Sequence, residues 1–416
     1  MNLQNFKLPT LWKNDMENNL KTKQRILVVD DEPDFFDLIL QKFRKQIRDS
    51  YDFVFANNGV EALEKLEEYP EISLILTDIN MPEMDGLTLL KQINATRIEL
   101  LEKNKSYGNK IREVVIISAY GDLSNIRTAM NHGAFDFLIK PIDLSDLEIT
   151  IERTLKHITE LHHIQSKNKQ LIIFNNEMEV AQKIQNSILP QEIPKLKNLD
   201  ISTIYIPMMN VGGDFFDYHL IDNNKLGLII ADVSGHGISA AMIASMFKIA
   251  FNMQKVHASS PHDLLKEINN TFLNIKLNHN FVTAIYAFFD MEKNKLILSN
   301  AGHPELVILK RKTKEIITKN PKGPLIGCFP DANFESEEIK LEKGDRLLFY
   351  TDCLIECRNI QGEIFGEEKL ANLMQENAYK NTKEFTEHLM ETMGVWSPDK
   401  SGLDDDLTVI VVDINE

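Results

Sequence analysis

The chain has 416 residues, 43% of them hydrophobic and 26% charged, with a formal net charge of −16. That length exceeds one ordinary core and predicts two or three globular domains rather than a disordered chain. The acidic balance argues against a phosphate-tracking surface, so nucleic acid is not an expected partner.

Residues 1–23 read as a polar extension with scattered aromatics and no signal-peptide layout. From Arg25 the pattern becomes short apolar runs alternating with helical stretches. Predicted strands are Ile26–Val29, Phe53–Phe55, Leu74–Thr77, Val114–Ser118 and Phe137–Ile139, with amphipathic helices at Gly59–Glu68 and Gly86–Ile93. Five such alternations predict an α/β, doubly wound, five-stranded parallel sheet over residues 24–146. Residues 94–112 make a long polar connection inside it.

Residues 147–190 carry no strong Pro or Gly break until Pro190. Apolar Leu161, Ile164, Leu171, Phe174, Met178, Ala181, Ile184 and Ile188 recur at threes and fours, the signature of a long helical linker. The run reads either as two helices broken near Asn175-Asn176 or as a parallel coiled coil joining two copies of the chain. Asn168, Gln165 and His162-His163 would weaken such a seam.

Residues 191–416 are strand-rich: Ile201–Ile206, Leu226–Ala231, Thr283–Asp290, Lys295–Ser299, Glu305–Leu309, Arg346–Thr351 and Leu407–Val412. With helices at Gly237–Gln254, Pro261–Leu277 and Thr382–Thr392, this predicts an α+β layered sandwich. Cys328, Cys353 and Cys357 lack paired spacing, which fits a reducing cytoplasm and gives no zinc site. No run approaches the roughly 18 apolar residues of a membrane span. A cytoplasmic protein without membrane contact is expected.

The chemistry sits at strand ends. Asp30-Asp31 end the first strand, Asp78 the third, Ser118 the fourth and Lys140 the fifth, all at the carboxyl edge where doubly wound sheets bind ligands. Asp30, Asp31 and Asp78 can hold Mg²⁺, and Asp78 can then attack an activated phosphoryl donor. Ser118 would hydrogen-bond the new phosphate and Lys140 would pair with its charge. The Lys140-Pro141 bond admits a cis form. These motifs, in order and with Asp85-Gly86 following the loop, resemble the receiver domain of two-component response regulators over about residues 24–150. The resemblance implies a sensor histidine kinase upstream, a metal contact from the Asn80 backbone carbonyl, and Phe137 as the aromatic switch. The alternative reading of Phe137 is core packing.

Four more aspartate motifs lie in the second half: Gly212-Gly213-Asp214-Phe215-Phe216-Asp217, Asp232-Val233-Ser234-Gly235-His236-Gly237, Tyr350-Thr351-Asp352 and Asp404-Asp405-Asp406-Leu407-Thr408. Converging acids repel unless a cation neutralises them, and oxygen ligands without a His/Cys cluster suit Mg²⁺ or Mn²⁺. That is the donor set of a two-metal phosphate site. Gly212-Gly213-Asp214-Phe215-Phe216 also approaches the Gly-Gly-Asp/Glu-Glu-Phe signature of diguanylate cyclases. Only about 20 residues separate it from Pro190, however, and Phe215 stands where the signature has Glu.

Together with Asn300-Ala301-Gly302-His303-Pro304, Gly323-Pro324-Leu325-Ile326-Gly327, Phe365-Gly366 and Ile184-Gln185-Asn186-Ser187-Ile188-Leu189-Pro190, the four motifs resemble the PPM (protein phosphatase 2C-like) family over about residues 180–414. The similarity is to its bacterial sporulation and stress-response branch. It implies two Mn²⁺ or Mg²⁺ ions, with Asp232 bridging both and the Val233 carbonyl binding one. Asp352 and Asp405 would hold the other, and Asp214 would complete the cluster.

Asp217, Asp404 and Asp406 are expected outside the cluster, the run of three acids Asp404-Asp405-Asp406 reading as solvated. His236 is read as a turn residue or a proton donor, and His303 as structural. Two departures stand out. Cys353 follows the third-motif aspartate where relatives carry Gly, which would strain it at positive φ. The segment Tyr205–Val211 before Gly212 contains no Arg, so substrate phosphate would be held mainly through the metals and bound water. The expected function is a response regulator whose Asp78 phosphorylation controls a phosphoserine/phosphothreonine protein phosphatase, acting on an anti-anti-sigma factor. The rival is a receiver-controlled docking module without catalysis.

Overall fold

The computed structural model describes residues 23–415 apart from 103–110, 120, 257–259, 276–279 and 399–404. The N-terminal extension and Asp404 therefore lie outside the described residues. Two compact units divide within one helix, at Ile172/Ile173.

The first unit is a parallel sheet of strands β1 (Gln24–Val29), β2 (Tyr51–Ala56), β3 (Leu74–Asp78), β4 (Glu113–Ala119) and β5 (Asp136–Lys140) in the order β2-β1-β3-β4-β5. Helices α1 (Pro33–Lys42), α2 (Arg44–Asp49), α3 (Gly59–Glu68), α4 (Gly86–Glu102) and α5 (Leu123–Asn131) accompany it. Alternate residues of the buried runs feed two cores: Ile26, Val28, Leu74 and Leu76 one, Leu27, Val29, Ile75 and Ile116 the other. Burial on both faces is why these strands read as continuous apolar runs. Asn58 starts α3 by accepting from the Val60 and Glu61 N–H groups. Helix α4 continues to Glu102, nine residues past the expected end, so part of the anticipated connection is helical. The Lys140–Pro141 peptide is cis.

Helix α6 runs from Leu144 to Ile188 as one 45-residue element, with no break at Asn175-Asn176. Most of its second half is exposed, including Leu171, Ile172, Val180 and Ile184, but Gln185 is buried. At 1.5 Å per residue it is about 65 Å long.

The second unit stacks two five-stranded sheets. One contains β7 (Phe215–Asp222), β8 (Lys225–Val233), β9 (Val282–Asp290), β10 (Lys295–Ala301) and β13 (Ser336–Lys340), ordered β13-β10-β9-β8-β7. The other contains β6 (Leu199–Ile206), β11 (Leu306–Lys310), β12 (Glu315–Lys319), β14 (Asp345–Tyr350) and β15 (Leu407–Ile414), ordered β12-β11-β14-β15-β6. All pairings are antiparallel. Leu228, Ile230, Leu347, Phe349, Ile410 and Val412 fill the space between the sheets. Helices α7 (Ile238–Gln254) and α8 (Pro261–Ile275) cover the outer face of the first sheet through Phe247, Phe251 and Phe272. The other outer face is covered by α9 (Cys353–Glu356), α10 (Gly366–Glu376) and α11 (Thr382–Trp396), through Leu354, Leu370, Phe385 and Leu389. This is the expected layered sandwich. Among the described residues no helix is long and apolar enough to cross a membrane.

Candidate functional sites

In the first unit, parallel register brings four strand ends together. Asp78 pairs with Ile117, Ser118 with Ile139, and Ala119 with Lys140. Acceptor oxygens of Asp30, Asp31 and Asp78 lie within 4.8 Å of one another, Asp31 exposed and the other two buried. Lys140 Nζ stands 3.0 Å from Asp30 and 3.1 Å from Asp78. Asp78 also accepts the Ile79 N–H at 2.9 Å. Burial raises the Asp78 pKa, opposed by the Lys140 charge. Burial would lower the Lys140 pKa, but the hydrogen bonds and charges of Asp30 and Asp78 outweigh it and raise it.

Asp30 Oδ2 has charge contact with Lys140 but no aligned hydrogen-bond donor. Ser118 is fully buried with an unpartnered hydroxyl, Asn80 is exposed, and Phe137 is 37% exposed. The oxygen-only donor set with one unsatisfied carboxylate atom fits a hard divalent cation.

In the second unit, Asp232 is near the end of β8, Asp352 lies two residues after β14, Asp405 lies two residues before β15, and Asp214 directly precedes β7. Asp214 ties the two sheets together. Its Oδ2 accepts from the Thr351 hydroxyl at 2.9 Å, just after β14, and from the Thr408 hydroxyl at 2.6 Å, on β15 of the other sheet. Its Oδ1 is buried without a donor. Burial raises its pKa well above the carboxylate range, reinforced by the charge of Asp232 and opposed by the Thr408 hydroxyl. Asp232 is raised by burial and by Asp352, Asp405 and Asp406. Asp352 is raised by burial, Glu356 and Asp405. Among the described residues, no lysine, arginine or histidine forms an ion pair with Asp214, Asp232, Asp352 or Asp405. These acids do not reach the close spacing of the first-unit triad. Buried, mutually repelling carboxylates with an unpartnered oxygen are the donor set a pair of divalent cations fits.

The loop that delivers Asp214 is held from several sides. Gln185, near the end of α6, donates to the Gly212 carbonyl at 2.6 Å and accepts the Gly212 N–H at 3.0 Å. A Cβ on Gly213 would lie 3.0 Å from the Val233 carbonyl and from Ala240 Cβ, so this close approach needs glycine.

Two expectations, those for Asp406 and Cys353, change here. Asp406 is buried, not solvated, and accepts backbone N–H bonds. Asp217 is likewise buried, because Lys248 meets it at 2.6 Å. Cys353 begins α9 after Asp352 in right-handed helical geometry and is absent from the positive-φ residues, so no strain arises. His236 is exposed on its turn. His303 is buried, its Nδ1 2.9 Å from the Thr283 hydroxyl, and burial lowers its pKa to about 3. Thr351, Thr408, Gln185 and Asp406 were not singled out as site residues, although each belongs to a motif quoted for the resemblance.

Comparison with known proteins matches residues 26–152 to the response regulator receiver domain and residues 222–415 to the stage II sporulation protein E (SpoIIE) family. The phosphoserine phosphatase RsbU of Bacillus subtilis is 28% identical over 238 residues, covering 57% of this chain and 70% of RsbU. The phosphoserine phosphatase RsbP of the same organism is 32% identical over 180 residues, covering 42% of this chain and 44% of RsbP. The fold of the SiaA-PP2C domain of Pseudomonas aeruginosa is similar, with TM-score 0.54 and 20% identity over 59% of this chain and 98% of that one. The chain is thus a receiver domain joined to a phosphatase domain of the PP2C-like fold. That second domain is a serine/threonine phosphatase of the sporulation and stress-response branch.

Proposed function

We propose that this chain is a two-component response regulator in which phosphorylation of Asp78 controls metal-dependent hydrolysis of phosphoserine or phosphothreonine on a protein. The observation that carries the catalytic half is Asp214: fully buried, facing the charge of Asp232, with one oxygen lacking any donor. Asp214, Asp232, Asp352, Asp405 and the Val233 carbonyl would hold two Mn²⁺ or Mg²⁺ ions. When bound, the cations supply an activated water and offset charge developing on the phosphoryl group.

The chain's own residues do the rest. Thr351 and Thr408 fix the Asp214 carboxylate, and the Asp406 N–H fixes Asp405 at 2.8 Å. Hydrolysis forms a bond from a water oxygen to phosphorus and breaks the bond between serine Oγ and phosphorus; the water gives up a proton to solvent, and the departing alkoxide takes one that exposed His236 could provide.

In the receiver, Asp78 forms a bond to phosphorus as the donor's bond breaks. Asp30, Asp31, Asp78 and the Asn80 carbonyl would hold Mg²⁺, with Ser118 and Lys140 contacting the phosphoryl group and Phe137 as the switch. A sensor histidine kinase is the proposed donor, and an anti-anti-sigma factor the proposed substrate, in a cytoplasmic partner switch. The exposed apolar residues of α6 support a homodimer, and the Gln185–Gly212 pair supports α6 as the route from receiver to metal site.

The test is hydrolysis of p-nitrophenyl phosphate and of a phosphoserine protein by purified chain with Mn²⁺, before and after acetyl phosphate. No turnover in either state leaves only the docking-module reading.

A further inference from the structure

The Asp404-Asp405-Asp406 run contains two described acids with different surroundings. Asp405 is half-buried, whereas Asp406 is 3% exposed and hydrogen-bonded at both oxygens. Its Oδ1 accepts the Met208 N–H at 2.7 Å, and its Oδ2 accepts the Gly213 N–H at 2.5 Å. These bonds reach across about 195 residues of sequence to the turn that delivers Asp214. The Asp406 backbone serves the same site: its N–H donates to Asp405 Oδ1 at 2.8 Å, and its carbonyl faces the Thr351 hydroxyl at 3.4 Å. That same hydroxyl holds Asp214. The fit against the turn is tight, since a Cβ on Gly212 would lie 2.7 Å from the carboxylate carbon and both oxygens of Asp406.

We infer that Asp406 is a positioning residue of the phosphatase centre, whose carboxylate pins the Met208–Gly213 loop while its peptide group aims Asp405. The inference rests on the metal-dependent reading above. One residue thereby couples Asp214, from the edge of the first sheet, to Asp405, at the entrance to the last strand of the second. An aspartate suits the position because both anionic oxygens accept, matching two converging N–H donors. Asparagine would turn an NH₂ group toward one of them. A solvated acid would leave no such signature, and a packing residue alone would not explain why Gly212 leaves room for it.

The experiment uses the full chain and Mn²⁺ alone as the probe. Thermal unfolding is followed with and without Mn²⁺, since ligand that binds the folded state raises its midpoint; hydrolysis is then titrated with Mn²⁺. In Asp406→Asn, the half-saturating Mn²⁺ concentration should rise about 10-fold or more, the usual size for losing an outer partner of a metal ligand. The Mn²⁺-induced rise in unfolding midpoint should shrink with it.

Gly212→Ala should give the same loss, because its Cβ displaces the carboxylate. In an Asp406→Ala background the same change should add little, since the colliding group is gone. A purely structural role would lower the metal-free midpoint while leaving the Mn²⁺ titration of the folded fraction unchanged, and that result overturns the inference. So does additivity of the two substitutions. Wild-type chain with neither a Mn²⁺ response nor turnover overturns the phosphatase reading and, with it, this one.

Discussion

The two acidic clusters of this molecule address the same electrostatic problem differently. In the receiver, Lys140 stands 3.0–3.1 Å from Asp30 and Asp78, so part of the carboxylate charge is neutralised by the chain itself. In the phosphatase domain, Asp214 finds two threonine hydroxyls and Asp232 finds Asp214 and other acids, but neither meets a cationic side chain among the described residues. Hydroxyls stabilise an anion far less than a full opposite charge does. A receiver must rest stably until a phosphoryl group arrives. The phosphatase cluster, by contrast, is incomplete as an electrostatic unit without metal, which makes metal occupancy a place where regulation can act.

The largest effect should come from removing the centre of the uncompensated cluster. Asp232→Ala should lower hydrolysis by about three orders of magnitude, as loss of several kcal/mol of transition-state stabilisation requires. Radiolabel transfer from acetyl phosphate to the receiver should persist. Surviving hydrolysis would remove Asp232 from the metal set. On the receiver side, Asp78→Ala should abolish that radiolabel and any change in phosphatase rate on adding phosphodonor. A rate that still responds would place the input elsewhere.

The uncompensated cluster also predicts a response of stability to pH and to metal. Burial and mutual repulsion raise the pKa values of Asp214, Asp232 and Asp352 above the ordinary aspartate value of about 3.9. The folded state therefore holds protons that the unfolded chain releases. The stability these groups contribute is complete below pH ~3.9 and is lost as pH rises through their raised values. His303 acts in the other direction. Its lowered pKa gives stability above the unfolded histidine value of about 6.5, lost as pH falls below it. Comparing metal-free wild type with Asp232→Asn by thermal unfolding cancels the histidine term. The variant should lose less stability between pH 4 and 7, and Mn²⁺ should restore the wild type most at the upper end. Parallel pH profiles would show that repulsion at Asp232 is already relieved.

How much of this was legible in the sequence follows from the same physics. Strand ends carrying Asp30, Asp78, Asp232 and Asp352 were readable because buried apolar runs stop abruptly at a carboxylate. Strands β12 (EIITK) and β13 (SEEIK) were missed because they are edge strands, partly exposed and charged, without the apolar signal of central ones. Strand β7 was hidden inside the Gly-Gly-Asp motif that drew attention to its first residues. Asp406 was misread because a run of three acids looks solvated; its burial depends on N–H donors from Met208 and Gly213, and that contact is set by tertiary structure alone. Gln185 was hidden for the same reason, as a polar residue in the mostly exposed second half of its helix.

The smallest predicted effect tests whether Lys140 is what separates the two clusters. Lys140→Met keeps most of the side chain's volume and removes its charge, leaving Asp30 and Asp78 to repel as the phosphatase acids do. The receiver's metal-free unfolding midpoint should fall by about 5 °C, the size of a loss near 1 kcal/mol in a domain of this length. Added Mg²⁺ should then recover more of that midpoint than it adds to the wild type, because the cation takes over neutralisation that the lysine no longer supplies. Equal Mg²⁺ responses in the two proteins would mean that Lys140 contributes little to charge balance at rest. The difference between the clusters would then lie in spacing and burial rather than in an internal counter-ion.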